Sequence, residues 1–197
     1  PGTFADRLPR DRILRPTLDL SHGLSAAEDP LLAVAKKLGV DKRTARRAFQ
    51  AALAAQESYS NALVESGAAA LAEVESDPSQ FAVVLFGRPY NAFTPLLNMG
   101  IPHRLASQGI HVIPFDSLPC RDEPPVPEIY WGIAHDILQA ANFVRRHPQL
   151  FGVFITNFSC GPDAFILGYF RDIMGDKPSL TLELDSHTAD VGIDTRI

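Results

Sequence analysis

The sequence predicts an α/β protein with three layers, built on a doubly wound, mostly parallel sheet of the flavodoxin or Rossmann kind, with a helical N-terminal segment. Between residues 79 and 197, continuous apolar runs typical of strands buried on both faces alternate with helical patterns. That alternation indicates parallel strands joined by right-handed crossovers. Residues 1–78 show only the helical pattern. We therefore expect a helical arm or subdomain at 1–78 and a parallel α/β domain at 79–197, which could also form one compact unit cut from a larger protein.

The predicted elements follow from this pattern. The four strands are expected at 81–86, 111–115, 151–156 and 179–184, with helices at about 95–108, 127–146 and 164–174. In the N-terminal segment, Ser25 or Asp29 is expected to cap a helix that opens at Pro30 and ends at Gly39. Asp41 should cap a second helix that runs to Gly67, and a third, short helix should cover 68–75.

Composition excludes several classes of protein. The chain has 197 residues, is 46% hydrophobic and carries a formal net charge of -5, which allows a sizeable core and disfavours nucleic acid as a partner. It has no apolar run long enough to cross a membrane and no signal-peptide pattern. Its two cysteines do not make a disulfide framework, so the sequence favours a reducing, cytoplasmic location. A basic cluster at 42–47 resembles a DNA-binding helix, but an αα-hairpin with a solvated basic face is the preferred interpretation.

Ligands of open parallel sheets bind beyond the carboxyl ends of the strands, so the loops after the four strands are the expected site. Arg88, Tyr90 and Asn91 follow the first strand, and Asn157 follows the third; these residues could hold an anionic ligand or cofactor. No glycine-rich phosphate motif accompanies them. The alternative is that Arg88 pairs with a loop carboxylate such as Asp116 or Asp185.

Two cysteines are candidate metal ligands at this edge. Cys160 lies between a predicted strand and a predicted helix, where helix N–H groups favour a thiolate. It could be a metal ligand, a cluster ligand, a nucleophile or a small buried residue in a Gly-Pro turn. Cys120 lies in a proline-rich loop, and we interpret it as a solvent-exposed spectator rather than a ligand. Their spacing matches no zinc or redox motif.

The candidates for acid–base chemistry are His187, Asp163 and Glu183. His187 lies between Asp185 and Asp190, so an imidazole and carboxylates could bind a metal or transfer protons. The preferred alternative is structural, with the loop polar groups capping backbone N–H groups. The sequence does not divide acid and base roles among these residues.

Several segments together resemble the large CoA-substrate-specific enzyme activases, which are related to 2-hydroxyacyl-CoA dehydratases and their ATP-dependent activators. The segments are GRPYN at 87–91, NMGIP at 98–102, YW at 130–131, NFSCGPDAFI at 157–166, KP at 177–178 and ELDSHTAD at 183–190. The resemblance runs from about residue 14 to residue 197. It implies that the chain is a fragment of the dehydratase-like region of a longer protein that also carries an actin-like ATPase region.

The resemblance implies low-potential electron transfer, driven by ATP, through iron–sulfur clusters to a CoA-thioester dehydratase or reductase. Cys160 matches a cysteine of the family pattern, whereas Cys120 departs from it. A cubane cluster normally needs four cysteine ligands, or three and a substitute, so a chain with two cysteines should hold no cluster by itself. The expected partners are the ATPase region, a dehydratase or reductase subunit, or a second copy of the chain. The fragment alone should be inactive, and the alternative function is a docking domain of the same protein without catalysis.

Overall fold

The computed structural model describes residues 12–127, 129, 131–157 and 160–184. The described chain divides into two compact units between Asn61 and Ala62. The predicted boundary after residue 78 stays a prediction; it falls in the loop that follows the long helix of the chain. None of the described helices combines the length and the apolar character needed to cross a membrane.

The first unit is helical, as the sequence predicts. Helix α1 covers Glu28–Lys37, and helix α2 begins at Lys42. Gly39, at φ +77°, separates them, and the side chain of Asp41 caps α2 by accepting a hydrogen bond from the backbone N–H of Thr44 at 3.0 Å. The predicted cap of α1 is wrong, because α1 begins two residues before Pro30 and no side chain caps it.

Helix α2 covers Lys42–Glu75, so the predicted break at Gly67 does not occur. Gly67 is buried inside the helix, and a Cβ atom there would lie 2.0 Å from the carbonyl oxygen of Ser117. The glycine allows a neighbouring loop to approach the helix backbone, and it does not end the helix. The last turns of α2 contribute Leu71 and Val74 to the buried core.

The second unit contains a parallel sheet of four described strands. These are β1 (Ala82–Phe86), β2 (His111–Pro114), β3 (Leu150–Asn157) and β4 (Ser179–Leu184), in the spatial order β2-β1-β3-β4. All three pairings are parallel. The four predicted strands are confirmed. The central strands β1 and β3 are buried along most of their length, as their apolar runs predict, whereas the edge strands β2 and β4 are only partly buried.

Helices cover both faces of the sheet, which confirms the α/β three-layer prediction. The described helices here are α3 (Pro89–Ala92), α4 (Ile101–Ser107), α5 (Gly132–Arg146) and α6 (Gly161–Met174). On one face, Phe86 and Phe154 pack with buried residues of α5 and α6. On the other face, Val83 and Leu85 pack against Ile101 of α4. Right-handed crossovers to either side of β1 require this distribution of helices.

Two helices begin later than predicted. Helix α4 begins at Ile101 rather than near 95, because Asn98 turns the chain first: its side chain accepts a hydrogen bond from Gly100 N at 3.0 Å and donates one to the Ala92 carbonyl at 2.7 Å. Gly100 then has a left-handed conformation at φ +70°. Helix α5 begins at Gly132 rather than at 127, after a proline-rich stretch that lacks the backbone donors of a helix.

Candidate functional site

The sheet order places a topological switch point between β1 and β3. The chain leaves β1 toward β2 on one side and leaves β3 toward β4 on the other, so the loops after β1 and β3 diverge and open a crevice. Arg88 follows β1, and Cys160 follows β3. The two residues are therefore brought together by topology, although 72 positions separate them in the chain.

The end of β1 is shaped to direct Arg88 into this crevice. Gly87 has φ +136°, and a Cβ atom there would lie 2.4 Å from the carbonyl oxygen of Ile155 on β3. Only glycine permits this approach of the two strands. Arg88 then precedes the short helix α3, and its guanidinium carbon lies 4.7 Å from the centre of the Tyr90 ring, in a cation–π contact.

The end of β3 presents Cys160 as the residue that caps α6. Its sulfur accepts a hydrogen bond from the backbone N–H of Asp163 at 3.4 Å, and proline occupies the first turn of the helix. The side chain of Cys160 is half-buried. The structure thus places Cys160 between a buried strand and a helix N-terminus, at the position predicted from the sequence.

Arg88 connects Cys160 with a buried carboxylate. Its Nη2 atom donates a hydrogen bond to Cys160 Sγ, and its Nε atom lies 2.9 Å from Asp163 Oδ1. The Nε–Oδ1 contact is an ion pair without a well-aligned hydrogen bond, since neither atom has a hydrogen-bond partner within the described chain. Asp163 Oδ2 accepts a hydrogen bond from Thr156 Oγ1 at 2.7 Å. Arg88 therefore pairs with Asp163 and not with Asp116, the carboxylate proposed from the sequence; Asp185 lies outside the described residues.

A cavity of about 400 Å³ lies beside Cys160, between α6 and β4. Asn157 and Glu183 line it together with Cys160, so three of the candidate residues share this space. Arg171 and Thr181 also line it and were missed by the sequence analysis. The signal for Arg171 was available, because positions 160, 164, 167 and 171 form one stripe at helical spacing, and Thr181 lies two positions before Glu183 on the same face of β4.

Comparison with protein families agrees with the resemblance noted from the motifs. A family model described as a CoA enzyme activase uncharacterised domain matches residues 3–118. The chain belongs to this family of CoA enzyme activase domains. The matched span includes Arg88, Tyr90 and Asn91 and ends before Cys160. No curated protein and no solved structure matches the chain.

The side chains of Tyr90 and Asn91 lie in different surroundings in the activase domain: one is exposed and the other is buried. Tyr90 is exposed beside Arg88, where it could contact a ligand. Asn91 is fully buried, and its side-chain nitrogen donates a weak hydrogen bond to the Ile155 carbonyl at 3.5 Å. Its Oδ1 atom has no hydrogen-bond partner within the described chain. Asn91 therefore holds the β1 loop to β3.

Cys120 lies apart from the cavity beside Cys160, in a smaller cavity of about 170 Å³ that Asp116, Arg121 and Asp136 also line. The prediction of a solvent-exposed thiol is wrong, because Cys120 is half-buried and packs against the apolar core. Burial, reinforced by the nearby Glu123 carboxylate, raises the pKa of Cys120 to about 11. Partial desolvation at the edge of this cavity also raises the pKa values of Asp116 and Asp136, although both residues are exposed.

The residues described in the activase domain do not form a complete site for a metal or cluster. Within the described ranges, no three His, Cys, Asp or Glu side chains are grouped so that they could hold a metal ion. Cys160 is one thiol beside the cavity, whereas a cubane cluster takes four ligands. His187, with Asp185, Ser186 and Asp190, lies outside the described residues, so its proposed acid–base or capping role stays a prediction.

Proposed function

We propose that this activase domain contributes the Cys160 thiolate to an iron–sulfur centre that transfers low-potential electrons, in an ATP-driven system, to a CoA-thioester dehydratase or reductase. The observation that carries the proposal is the position of Cys160. Its half-buried sulfur lies at the β1/β3 switch point, beside a cavity of about 400 Å³ and in contact with two N–H donors.

The two donors suit a sulfur that also binds a metal. A cysteine thiolate can accept hydrogen bonds while it coordinates iron, and such hydrogen bonds are one way in which a protein sets the reduction potential of a cluster. Here Arg88 Nη2 and the backbone N–H of Asp163 would be those donors. A bound cluster would supply the capacity for one-electron transfer.

The remaining ligands would come from outside the described residues. The ATPase region of a longer protein, a dehydratase or reductase subunit, or a second copy of the chain are the candidate sources. Arg88 and Tyr90 would lie beside the centre without lining the cavity, and Asn157 and Glu183 would line the cavity itself. Because Asn91 is buried, we propose for it a role in holding the loop rather than in binding a ligand.

The test is a measurement of iron and sulfide content and of the absorption spectrum after anaerobic reconstitution of the full-length protein. Cys160→Ser should lose the cluster or a defined fraction of its iron, because a hydroxyl is a poor substitute for a thiolate ligand. Cys120→Ser is the matched control, and it should retain the iron content of the parent protein, since Cys120 lies in a different cavity.

An unchanged cluster in Cys160→Ser would contradict the proposal. Cys160 would then be structural, and the domain would serve as a docking module of the activase with the chemistry elsewhere. Loss of iron in both cysteine variants would instead indicate general damage to the fold, which far-ultraviolet circular dichroism of the iron-free variants would reveal.

A further inference from the structure

Four side chains form a continuous array from the interior of the sheet to the cavity edge. Thr156 lies near the end of β3 and donates to Asp163, Asp163 pairs with Arg88, and Arg88 donates to the sulfur of Cys160. The array joins three separate chain segments: the loop after β1, the end of β3 and the first turn of α6. The position of the Arg88 charge is therefore determined by buried groups.

The buried end of the array is fixed. Thr156 is 3% exposed and Asp163 is 1% exposed. A carboxylate so deeply buried is tolerated only when both oxygens find partners, and here Oδ2 contacts Thr156 Oγ1 and Oδ1 contacts Arg88 Nε. Loss of the Thr156 hydroxyl would leave Oδ2 without its partner and free the carboxylate to turn.

The Arg88 guanidinium links the fixed position of Asp163 to the position of the donor that contacts the Cys160 sulfur. Its donors form a rigid planar fork, so an Nε atom held against Asp163 also fixes the direction of Nη2. The Nη2 atom is the one that donates to Cys160 Sγ. The charge in direct contact with the sulfur is thus positive, and the backbone N–H of Asp163 adds a second positive pole at 3.4 Å.

We propose that Thr156 and Asp163 are positioning residues that hold the Arg88 guanidinium against Cys160, so that the sulfur reacts with or binds anionic partners in preference to neutral ones. The inference concerns the same sulfur as the proposed function, but it requires no cluster. It can therefore be tested on the iron-free chain, and its failure would be distinguishable from a failure of cluster binding.

The test compares two alkylating reagents of similar size, iodoacetate, which is an anion, and iodoacetamide, which is neutral. Each forms a sulfur–carbon bond with the thiolate and releases iodide, so the ratio of their rates cancels the fraction of thiol that is ionised. The ratio reports the electrostatic potential at the sulfur. A Cys120→Ser background restricts the reaction to Cys160, and the same protein unfolded in urea gives the reference ratio.

In the folded protein at low ionic strength, the ratio should exceed the unfolded reference by roughly three- to tenfold, because a cation in contact with the sulfur attracts the anionic reagent. Added salt should reduce the excess. Arg88→Gln should bring the ratio down to the reference value or below it, because the Asp163 carboxylate then lacks its cation. Thr156→Val, which changes no charge and almost no volume, should lower the ratio in the same direction because Arg88 loses its anchor.

Thr156→Ser is the conservative control, since it keeps the hydroxyl and should keep the ratio of the parent. A purely structural role of Thr156 would lower stability without changing the ratio, so a folded Thr156→Val with an unchanged ratio would overturn the positioning role. A parent ratio equal to the unfolded reference would overturn the whole inference. If Thr156→Val does not fold, Arg88→Lys is the deciding variant, because it keeps the positive charge but loses the planar fork of donors. A ratio of the two alkylation rates equal to that of the parent would then show that the position of the charge is irrelevant.

Discussion

At the scale of single residues, the surroundings of Cys120 predict how that thiol responds to pH. With a pKa of about 11, raised first by burial and then by the Glu123 carboxylate, only about one thiol in a thousand is ionised at pH 8. In a Cys160→Ser background, iodoacetamide should therefore modify Cys120 very slowly at pH 8. The rate should rise about tenfold per pH unit up to the pKa, because only the thiolate reacts.

Peptide mass spectrometry over a pH series measures this rate, and the unfolded chain supplies the comparison. Unfolding removes the burial, so the same thiol should react about a hundredfold faster at pH 8, where its pKa returns from about 11 to the ordinary value of 9.0. Equal rates in the folded and unfolded chains would mean that Cys120 is open to solvent, as the sequence suggested.

The partner of Arg88 shows which part of the site could be predicted from sequence. That Arg88 and Cys160 meet at one sheet edge follows from parallel strands alone, because their carboxyl ends share an edge. The choice of Asp163 as the partner depends on strand order, since only the neighbour relation of β1 and β3 brings α6 beside the loop after β1. Strand order is a long-range property, and no local pattern in the chain encodes it.

At the scale of secondary-structure elements, Gly67 and Gly168 form a matched pair of helical glycines with opposite expected effects. A Cβ atom at Gly67 in α2 would lie 2.0 Å from the Ser117 carbonyl oxygen, whereas one at Gly168 in α6 would meet no atom within 4 Å. Gly67→Ala should lower the free energy of unfolding by about 1–3 kcal/mol, because the clash forces backbone to move. Gly168→Ala should raise it by about 0.5–1 kcal/mol through the lower entropy of the unfolded chain.

Urea unfolding of both variants measures the two effects under the same conditions. Stabilisation by both substitutions would mean that the loop carrying Ser117 does not press against α2, and the helix would then be continuous for reasons of propensity alone. The comparison also explains why the sequence indicated a break at Gly67: a glycine that permits close packing and a glycine that ends a helix look alike without the tertiary contact.

Strands were predicted more accurately than helix starts because burial and local turns leave different traces in the sequence. The central strands β1 and β3 are buried along most of their length, and burial on both faces produces a continuous apolar run directly. The start of α4 depends instead on the hydrogen bonds of one side chain, Asn98, and on a left-handed Gly100. Periodicity extends smoothly through such a turn, so the predicted helix began too early.

At the scale of the whole α/β unit, one side chain just before β3 contacts the last turn of α2 and the segment that leads from it to β1. The amide nitrogen of Gln149 lies 2.9 Å from each of the carbonyl oxygens of Val74, Asp77 and Gln80. Nearby, His147 Nε2 lies 2.9 Å from Glu75 Oε1. These contacts fix where β1 enters the sheet, and β1 in turn positions Arg88 at its other end.

Substitutions of Gln149 should therefore destabilise the unit more than its partly exposed position suggests. Gln149→Ala removes the side-chain donor from three carbonyls and leaves that of Gln80 without a donor within the described chain, whereas those of Val74 and Asp77 keep backbone N–H donors; it should lower the free energy of unfolding by about 1–3 kcal/mol. Gln149→Glu should cost more at neutral pH, because a carboxylate faces three carbonyl oxygens. The difference between the two variants should shrink below about pH 4, where the carboxyl group gains a proton and becomes a donor.

Gln139→Ala is the control, since among the described residues the Gln139 side chain donates to a single carbonyl, that of Glu123. Equal losses for Gln139→Ala and Gln149→Ala in urea unfolding would show that the triple contact adds nothing to a single hydrogen bond, and the entry of β1 would then be fixed by core packing alone.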